Sequence, residues 1–488
     1  MSPSIEARPH RKVSLAEILS ALSYALDITE GQPAGHSVRC CWIGVHIGRK
    51  MGIAGDRLWE LYYTLLLKDL GCSSNAARIC ELYLTDDLSF KRDYKTVDGG
   101  VVSALDFVLR HTGLSASLSD RFRAVANIVK NGKEIATELI ATRCHRGADI
   151  ARRMRFSEAV ADGIQSLDEH WDGGGKPVGQ AGSKIPIYSR IALLAQVVDV
   201  FNTTSGRDAA VAEARRRAGR WFDPALVRAF ESVARDDAFW HALGAPDIAR
   251  RILDFEPAHR QVDVDDDYLD DIAAAFGQVV DAKSPFTSGH SSRVARYADA
   301  LGEQLQIPTA RRRWLVRGAL LHDVGKLGVS NSILDKPGKL DENEWVSMRA
   351  HTVHSETILS RIAAFDDMAR VAAAHHERLD GKGYPRGLRA EQISRETRII
   401  TIADIYDALT ADRPYRAAMP VAKALEIIGS EVGTAVDADV FAALQSVVRG
   451  DQPARKWQTT RPPTPESPIA ITGGTSDAHF AITFGQRG

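Results

Sequence analysis

Apolar residues recur along this chain at the spacing of amphipathic helices. Two clear examples, at intervals of three and four residues, are Leu15, Ile18, Leu19, Leu22 and Leu26, and Val294, Tyr297, Ala298, Leu301 and Leu305. Side chains at these intervals share one face of an α-helix. The period-two alternation that indicates β-strands is scarce, and Gly and Pro concentrate in short segments between the helical stretches. The pattern predicts an all-α fold.

A tandem repeat divides the chain. Gly-His-Ser-Val-Arg at 35–39 matches Gly-His-Ser-Ser-Arg at 289–293, and Lys-Asp-Leu-Gly at 68–71 matches His-Asp-Val-Gly at 322–325, both offset by 254 residues. Two later matches, 172–177 with 380–385 and 190–195 with 398–403, are offset by 208. The change of offset predicts an insertion in the first copy, within about residues 75–140. We therefore expect two related helical domains, 13–235 and 262–449, joined by a helical connector at 236–261.

Composition and charge exclude several classes of protein. Lys and Arg number 62 against 63 Asp and Glu, so the net charge is −1 and no basic excess favours a nucleic acid polymer. No apolar run is long enough for a membrane span. The five cysteines show no Cys-x-x-Cys spacing and no secretory signal is evident, which indicates a cytoplasmic protein. The segment 450–488, rich in Thr, Pro, Gly and Ser, predicts a disordered tail.

Histidines crowd into one part of the second copy. Six of the 15 lie between residues 290 and 376. Five of these six, all but His354, form with two acidic residues the candidate ligand set His290, His322, Asp323, His351, His375, His376 and Asp404. Imidazoles and carboxylates are ligands of first-row divalent metals. Neighbours on a helix point about 100° apart, so Asp323 is suited to bridge two ions rather than to chelate one together with His322. Lys326 follows His322 by four residues and, if the helix continues, could reach a substrate phosphate.

These motifs resemble a known family. His322-Asp323-Val-Gly-Lys326, followed by His375-His376-Glu and then Gly383-Tyr384-Pro385, is similar to the HD-GYP branch of the HD phosphohydrolase superfamily. The resemblance implies two tandem HD-type helical bundle domains and a centre of two or three iron or manganese ions. It also implies hydrolysis of cyclic di-GMP to pGpG or GMP, or in some members of cyclic GMP-AMP. Phe286 stands where a third metal would need a Glu, which favours two ions.

Carried over residue by residue, the resemblance assigns roles. It implies one metal on His290, His322, Asp323 and Asp404, and a second on Asp323, His351, His375 and His376. A bridging hydroxide would then attack phosphorus. It assigns the substrate to Lys326, Tyr384, Arg413 and Arg416. The Gly383–Pro385 loop is implicated in contacts with signalling proteins, and a homodimer stays open.

The first copy departs from this pattern. His36 and Asp69 remain, but Lys68 stands at the position of His322 and Arg143 at that of His351. Leu167-Asp168 replaces the paired histidines, and Gln196 replaces Asp404. We expect no dinuclear metal there. Two alternatives to a cyclic dinucleotide phosphodiesterase stay open, a low-turnover signalling adaptor and an HD phosphohydrolase acting on another nucleotide.

Overall fold

A computed structural model describes residues 14–97, 100–256, 262, 264–412 and 417–450. Within these residues the regular structure is helical, with isolated β-bridges and no β-strand, so the all-α prediction is confirmed. No helix in the described part is long and apolar enough to cross a membrane. Most of the predicted tail, residues 451–488, lies outside the described residues.

The first half and the connector contain short and long helices. They are α1 (Leu15–Thr29), α2 (His36–Lys50), α3 (Gly55–Leu67), α4 (Ala76–Tyr83), α5 (Asp87–Tyr94), α6 (Val101–His111), α7 (Leu118–Arg153), α8 (Glu158–Gln165), α9 (Ile187–Ser205), α10 (Arg207–Arg217), α11 (Pro224–Ala234), α12 (Asp237–Leu243) and α13 (Ile248–Leu253).

The second half repeats this order without the insertion. Its helices are α14 (Asp266–Asp281), α15 (His290–Gln304), α16 (Thr309–Leu321), α17 (Asn331–Leu334), α18 (Glu342–Leu359), α19 (Asp366–Ala373), α20 (Arg395–Thr410), α21 (Val421–Ser430) and α22 (Ala438–Arg449). Helices α2, α3 and α9 correspond to α15, α16 and α20 at the sequence offsets. Helix α7 has 36 residues where its counterpart α18 has 18. That extra length, with α5 and α6, is the insertion.

The first helix of each half packs against elements of the other half. Helix α1 packs against α18 and the 3₁₀ turn Val324–Gly328 of the second half, and α14 packs against α7 and the turn Cys72–Asn75 of the first. One apolar core runs through both halves. The turns that carry the two His/Lys-Asp motifs therefore lie at the junction of the halves. The division into domains at 13–235 and 262–449 stays a prediction.

Candidate metal centre

Five structural elements bring the seven candidate ligands of the second half together. They are the first turn of α15 (His290), the end of α16 (His322, Asp323), α18 (His351), the end of α19 (His375, His376) and α20 (Asp404). Their donor atoms form three overlapping triads, each within 4.8 Å, namely His290–His322–Asp404, His322–Asp323–His375 and His351–His375–His376. All are buried except His376, which is half-buried.

A glycine sets the spacing between two of these elements. A Cβ on Gly325 would lie 1.9 Å from the carbonyl oxygen of His351, so only glycine allows the 3₁₀ turn to rest on α18. Ser355 joins the same elements, because its hydroxyl donates to the carbonyl oxygen of His322 (2.8 Å) and accepts from the amide of Gly325 (2.9 Å). Asp341 starts α18 with a reciprocal capping box to Glu344. The turn therefore holds Asp323 opposite His351.

Backbone carbonyls orient three of the imidazoles. The Nδ1 atoms of His322, His351 and His375 lie 2.7, 2.5 and 2.5 Å from the carbonyl oxygens three residues earlier. A carbonyl oxygen only accepts, so each Nδ1 carries the proton and each Nε2 presents a lone pair to the centre. This arrangement of histidines is typical of metal ligands.

Asp323 lies between two groups of imidazoles. Its Oδ2 atom is 3.5 Å from Nε2 of His290 and 3.2 Å from Nε2 of His322. Its Oδ1 atom is 3.5 Å from Nε2 of His351 and 3.6 Å from Nε2 of His375. Three buried atoms here, His290 Nε2, His322 Nε2 and Asp323 Oδ1, have no hydrogen-bond partner in the described part of the chain. Unsatisfied buried donors and acceptors that converge in this way fit divalent cations between them.

Burial and charge set the protonation of the centre. Burial lowers the pKa of His351 to about 3 and of His376 to about 4, and it holds the pKa of His375 well below its usual value. Burial alone would raise the pKa of Asp323, but nearby His322 and Lys326 outweigh it and hold that pKa well below the usual range. Neutral His351, His375 and His376 beside an ionised Asp323 are in the protonation states that metal ligation requires. His290 differs, because burial alone would lower its pKa but hydrogen bonds to Asp323, Asp404 and Asp407 outweigh burial and raise that pKa to about 10.

An outer carboxylate holds the remaining imidazole. Asp407 accepts from Nδ1 of His290 at 2.7 Å, and Arg293 donates to the same carboxylate at 2.6 and 3.0 Å. The sequence favours Asp407 as a carboxylate that supports a ligand or stabilises the helix, rather than as a ligand itself. Its contact with His290 agrees with the supporting role.

The structure describes two of the four predicted substrate residues, Lys326 and Tyr384. Lys326 is not on a continued helix, because α16 ends at Leu321 and a 3₁₀ turn follows, so that premise was wrong. The 3₁₀ turn nevertheless brings the Lys326 ammonium group onto the Asp323 carboxylate. The Tyr384 ring lies 4.9 Å from that of His376 and 6.5 Å from that of His351. Arg413 and Arg416 lie outside the described residues.

Glu377 orders the loop that carries Tyr384. Its two carboxylate oxygens accept from the backbone amides of Arg386 (2.7 Å) and Leu388 (2.8 Å). In the first half a single carboxylate oxygen of Glu169 accepts from the amides of both Val178 and Gly179. The loop architecture is therefore common to both halves, while the residue facing the centre differs.

Sequence reasoning missed Arg349. Its guanidinium carbon lies 5.5 Å from the ring centres of both Trp345 and Tyr384, within cation–π range. In the described part of the chain it has no carboxylate partner. Trp345 beside it is 43% exposed. A single arginine two residues before His351 carried no sequence signal, because its place beside Tyr384 depends on how the loop folds back.

The corresponding place in the first half is filled by ammonium and guanidinium groups. Lys68 contacts the Asp69 carboxylate and lies 3.2 Å from Nε2 of His36. Arg143, at the position of His351, forms an ion pair with Asp168, at the position of His376. The frame around them is retained, since a Cβ on Gly71 would meet the carbonyl oxygen of Arg143 at 1.8 Å.

The insertion adds a further cation to this region. Lys95, one residue beyond α5, lies 2.8 Å from the carboxylate of Glu30. Two triads of ligand-type atoms do occur here, His36–Cys40–Asp199 and Glu30–Asp69–Cys72. Burial raises the pKa of both thiols well above the usual value, and the ammonium groups of Lys68 and Lys95 contact the same acidic cluster. Protonated thiols and resident cations do not favour a metal ion.

Comparisons with known proteins agree with this geometry. The HD domain family model matches residues 124–226 and 275–440. The 3′3′-cGAMP-specific phosphodiesterase 3 of Vibrio cholerae is 55% identical over 434 residues, which cover 89% of this chain and 94% of that protein. The 3′3′-cGAMP-specific phosphodiesterase 1 of the same organism is 34% identical over 266 residues, covering 54% and 61%.

A solved structure shares the architecture. The crystal structure of a cyclic GMP-AMP specific phosphodiesterase of V. cholerae superposes with a TM-score of 0.63 at 48% identity, covering 90% of this chain and 98% of that one. The all-helical fold, the paired motifs and these matches together show that the chain belongs to the HD domain family of metal-dependent phosphohydrolases, in its HD-GYP branch.

Proposed function

We propose that this protein is a phosphodiesterase that opens a cyclic dinucleotide, with 3′3′-cGAMP as the preferred substrate. The observation that carries the proposal is the arrangement of Asp323, whose two oxygens face two separate groups of imidazoles. Two-metal sites of this kind suit phosphodiester hydrolysis.

The seven candidate ligands divide into two sets. His290, His322 and Asp404 form one, His351, His375 and His376 the other, and Asp323 is shared. Borderline imidazole and hard carboxylate donors suit iron or manganese. When bound, two such ions supply a water nucleophile at neutral pH and neutralise phosphodiester charge. The chain contributes the fixed Nε2 lone pairs and the ionised carboxylates.

Cationic side chains beside the centre would bind the substrate phosphates. Lys326 is 16% exposed on its side chain and lies against Asp323. Arg349 projects over Tyr384 with no carboxylate partner in the described part of the chain, so its donors are available to a phosphate or to a guanine edge. Exposed Trp345 offers a face on which a purine could stack. Arg413 and Arg416 keep their predicted substrate role.

The choice of substrate rests on the relatives. The sequence motifs alone favour cyclic di-GMP. Some relatives are named for that substrate, such as the cyclic di-GMP phosphodiesterase response regulator RpfG of Xanthomonas campestris pv. campestris, which is 36% identical over 35% of this chain. The cGAMP-specific relative is instead similar across both halves. We therefore place 3′3′-cGAMP first and cyclic di-GMP second.

Product analysis tests the proposal. Purified protein loaded with manganese or with iron under anaerobic conditions is incubated with each cyclic dinucleotide, and linear products are followed by chromatography and mass spectrometry. We expect opening of 3′3′-cGAMP with a higher kcat/KM than cyclic di-GMP. Two metals per chain without turnover of either dinucleotide would overturn the proposal and favour a binding role. Preference for cyclic di-GMP would overturn only the choice of substrate.

A further inference from the structure

The insertion of the first half forms a subdomain with its own small core. Helices α4, α5, α6 and the first half of α7 bury a separate apolar cluster of Ile79, Leu82, Tyr83, Phe90, Phe107, Ile128, Ile135 and Leu139. Within its described residues, 264–412 and 417–450, the second half has no counterpart to α5, α6 or the extra length of α7. None of the candidate ligands lies in this subdomain, so neither the metal centre nor its supports explain it.

The outer face of the same helices is apolar. Half of the large apolar side chains exposed in the described part of the chain lie here, namely Val102, Leu105, Leu109, Leu114, Leu118, Phe122 and Val129. Leu118 is 84% exposed and Phe122 75%. The spacings 102–105–109 and 118–122–129 place each set on one side of its helix. The hairpin of α6 and α7 therefore presents a continuous apolar face, which we call the hairpin face.

The extent of the hairpin face suits a stable interface. Taking the usual side-chain areas and these exposed fractions, the seven residues expose roughly 800 Å², close to what each partner contributes to a standard protein interface. Patches of this size on soluble proteins mark binding surfaces rather than ordinary exposed side chains.

The charges around the hairpin face favour a copy of the same surface as its occupant. Asp106 pairs with Arg110 (2.8 Å) and Asp120 with Arg123 (3.4 Å), each within one helix. Arg121 donates to the carbonyl oxygen of Leu109 at 2.9 Å, which closes the hairpin. Beyond Val129 the rim also carries exposed Lys130, Lys133 and Glu134, so charges of both signs border the face and it does not select a purely acidic or a purely basic surface. Two antiparallel helices pack readily against two others, and an isologous contact buries both faces at once.

We propose that the hairpin face is the interface of a homodimer, in which α6 and the first half of α7 of two copies form a four-helix contact. Sedimentation velocity of the full chain from about 1 to 50 µM tests it. We expect a dimer for the wild type and a monomer for the double variant Leu118→Glu/Phe122→Glu. These side chains are exposed, so the substitution removes no core contact, and circular dichroism with a thermal melt verifies the fold.

A matched control distinguishes an effect specific to the hairpin face from the effect of replacing any exposed apolar side chain. Val346 is a 70% exposed apolar residue on α18, and Val346→Glu is expected to leave the dimer intact. A monomeric wild type across the concentration range would overturn the proposal. So would a dimer that survives the double substitution, or one that Val346→Glu dissociates to the same degree.

Discussion

The two halves of this chain build one frame around two different sets of side chains, candidate metal ligands in the second half and ammonium and guanidinium groups in the first. In both, a His–Asp–Arg chain supports the first histidine, His290–Asp407–Arg293 in one half and His36–Asp199–Arg39 in the other, with His–Asp distances of 2.7 Å. In both, a glycine lets the Asp-bearing turn rest on the facing helix.

The difference lies in what faces the central carboxylate. Asp323 is surrounded by imidazoles whose Nε2 atoms point inward, and its ammonium partner Lys326 is partly exposed at the edge of the centre. Asp69 instead contacts the fully buried ammonium group of Lys68, which stands at the sequence position of His322. A covalently attached cation satisfies the buried carboxylate without a metal, but it offers no coordination site. The comparison separates the residues that maintain the fold from those that the chemistry would need.

Removing the central carboxylate should have the largest effect. Asp323→Ala deletes the residue shared by both ligand sets. We therefore expect activity to fall by at least about 100-fold, more than when a residue that only supports a ligand is removed. Metal content, measured by mass spectrometry, should fall with it. Asp69→Ala is the matched control and should leave metal content and kcat unchanged. Metal loss in that control would mean that the first half binds an ion.

Breaking the ion pair of the first half should affect stability instead. Lys68→Met leaves Asp69 buried without its ammonium partner, which costs about 3–5 kcal/mol in unfolding free energy. Urea unfolding measures the change. The double variant Lys68→Met/Asp69→Leu removes both charges and should recover most of the stability. A single variant as stable as the wild type would contradict the view that Lys68 replaces a metal.

The outer carboxylates allow a third comparison. Asp407→Asn weakens the support of His290 and should lower metal affinity by about 10–100-fold, as measured against a competing chelator. Asp199→Asn alters the same chain in the first half and should leave metal affinity unchanged. Equal losses in the two variants would mean that the effect comes from the fold.

Arg349 should have the smallest effect, and it should act on substrate binding. Arg349→Gln removes a charged donor beside Tyr384, and we expect KM for 3′3′-cGAMP to rise by roughly 10-fold or more, with kcat and metal content retained. Arg361→Gln is the control, because Arg361 stacks on Tyr24 at 3.9 Å, away from the centre. A fall in kcat with unchanged KM would contradict a role in binding.

Local spacing was enough to predict the helices, the repeat and the set of seven converging residues. A His-Asp pair, a His-His pair and a repeated Gly-His motif are each short segments, so they can be recognised from the sequence without knowing how the chain packs. The partners of Asp407, and the places of Arg349 and Lys95, became visible only in three dimensions. Each contacts residues that are distant in the sequence, and such contacts depend on packing. His290 and Asp407, for example, are 117 positions apart.

The helix assumption around Lys326 failed for a physical reason. The amphipathic pattern of α16 gives no signal of where the helix stops, and the 3₁₀ turn follows from the close approach of Gly325 to α18, a tertiary contact. The placement of Lys95 beside Glu30 was equally inaccessible, because it depends on how the insertion folds back onto the first half.

The Lys68 ammonium group has a consequence for the life of the molecule in a cell. The Lys68 side chain is part of the polypeptide, so the buried Asp69 carboxylate has its counter-charge as soon as the first half folds. The second half has Lys326 beside Asp323, but on the proposed function its candidate ligands would take up iron or manganese from the surrounding supply. Scarcity of these metals would then act on one half of a single chain, and proteolysis under metal starvation should begin around α15 to α20 and spare α2 and α3, which pack on α9 of the first half.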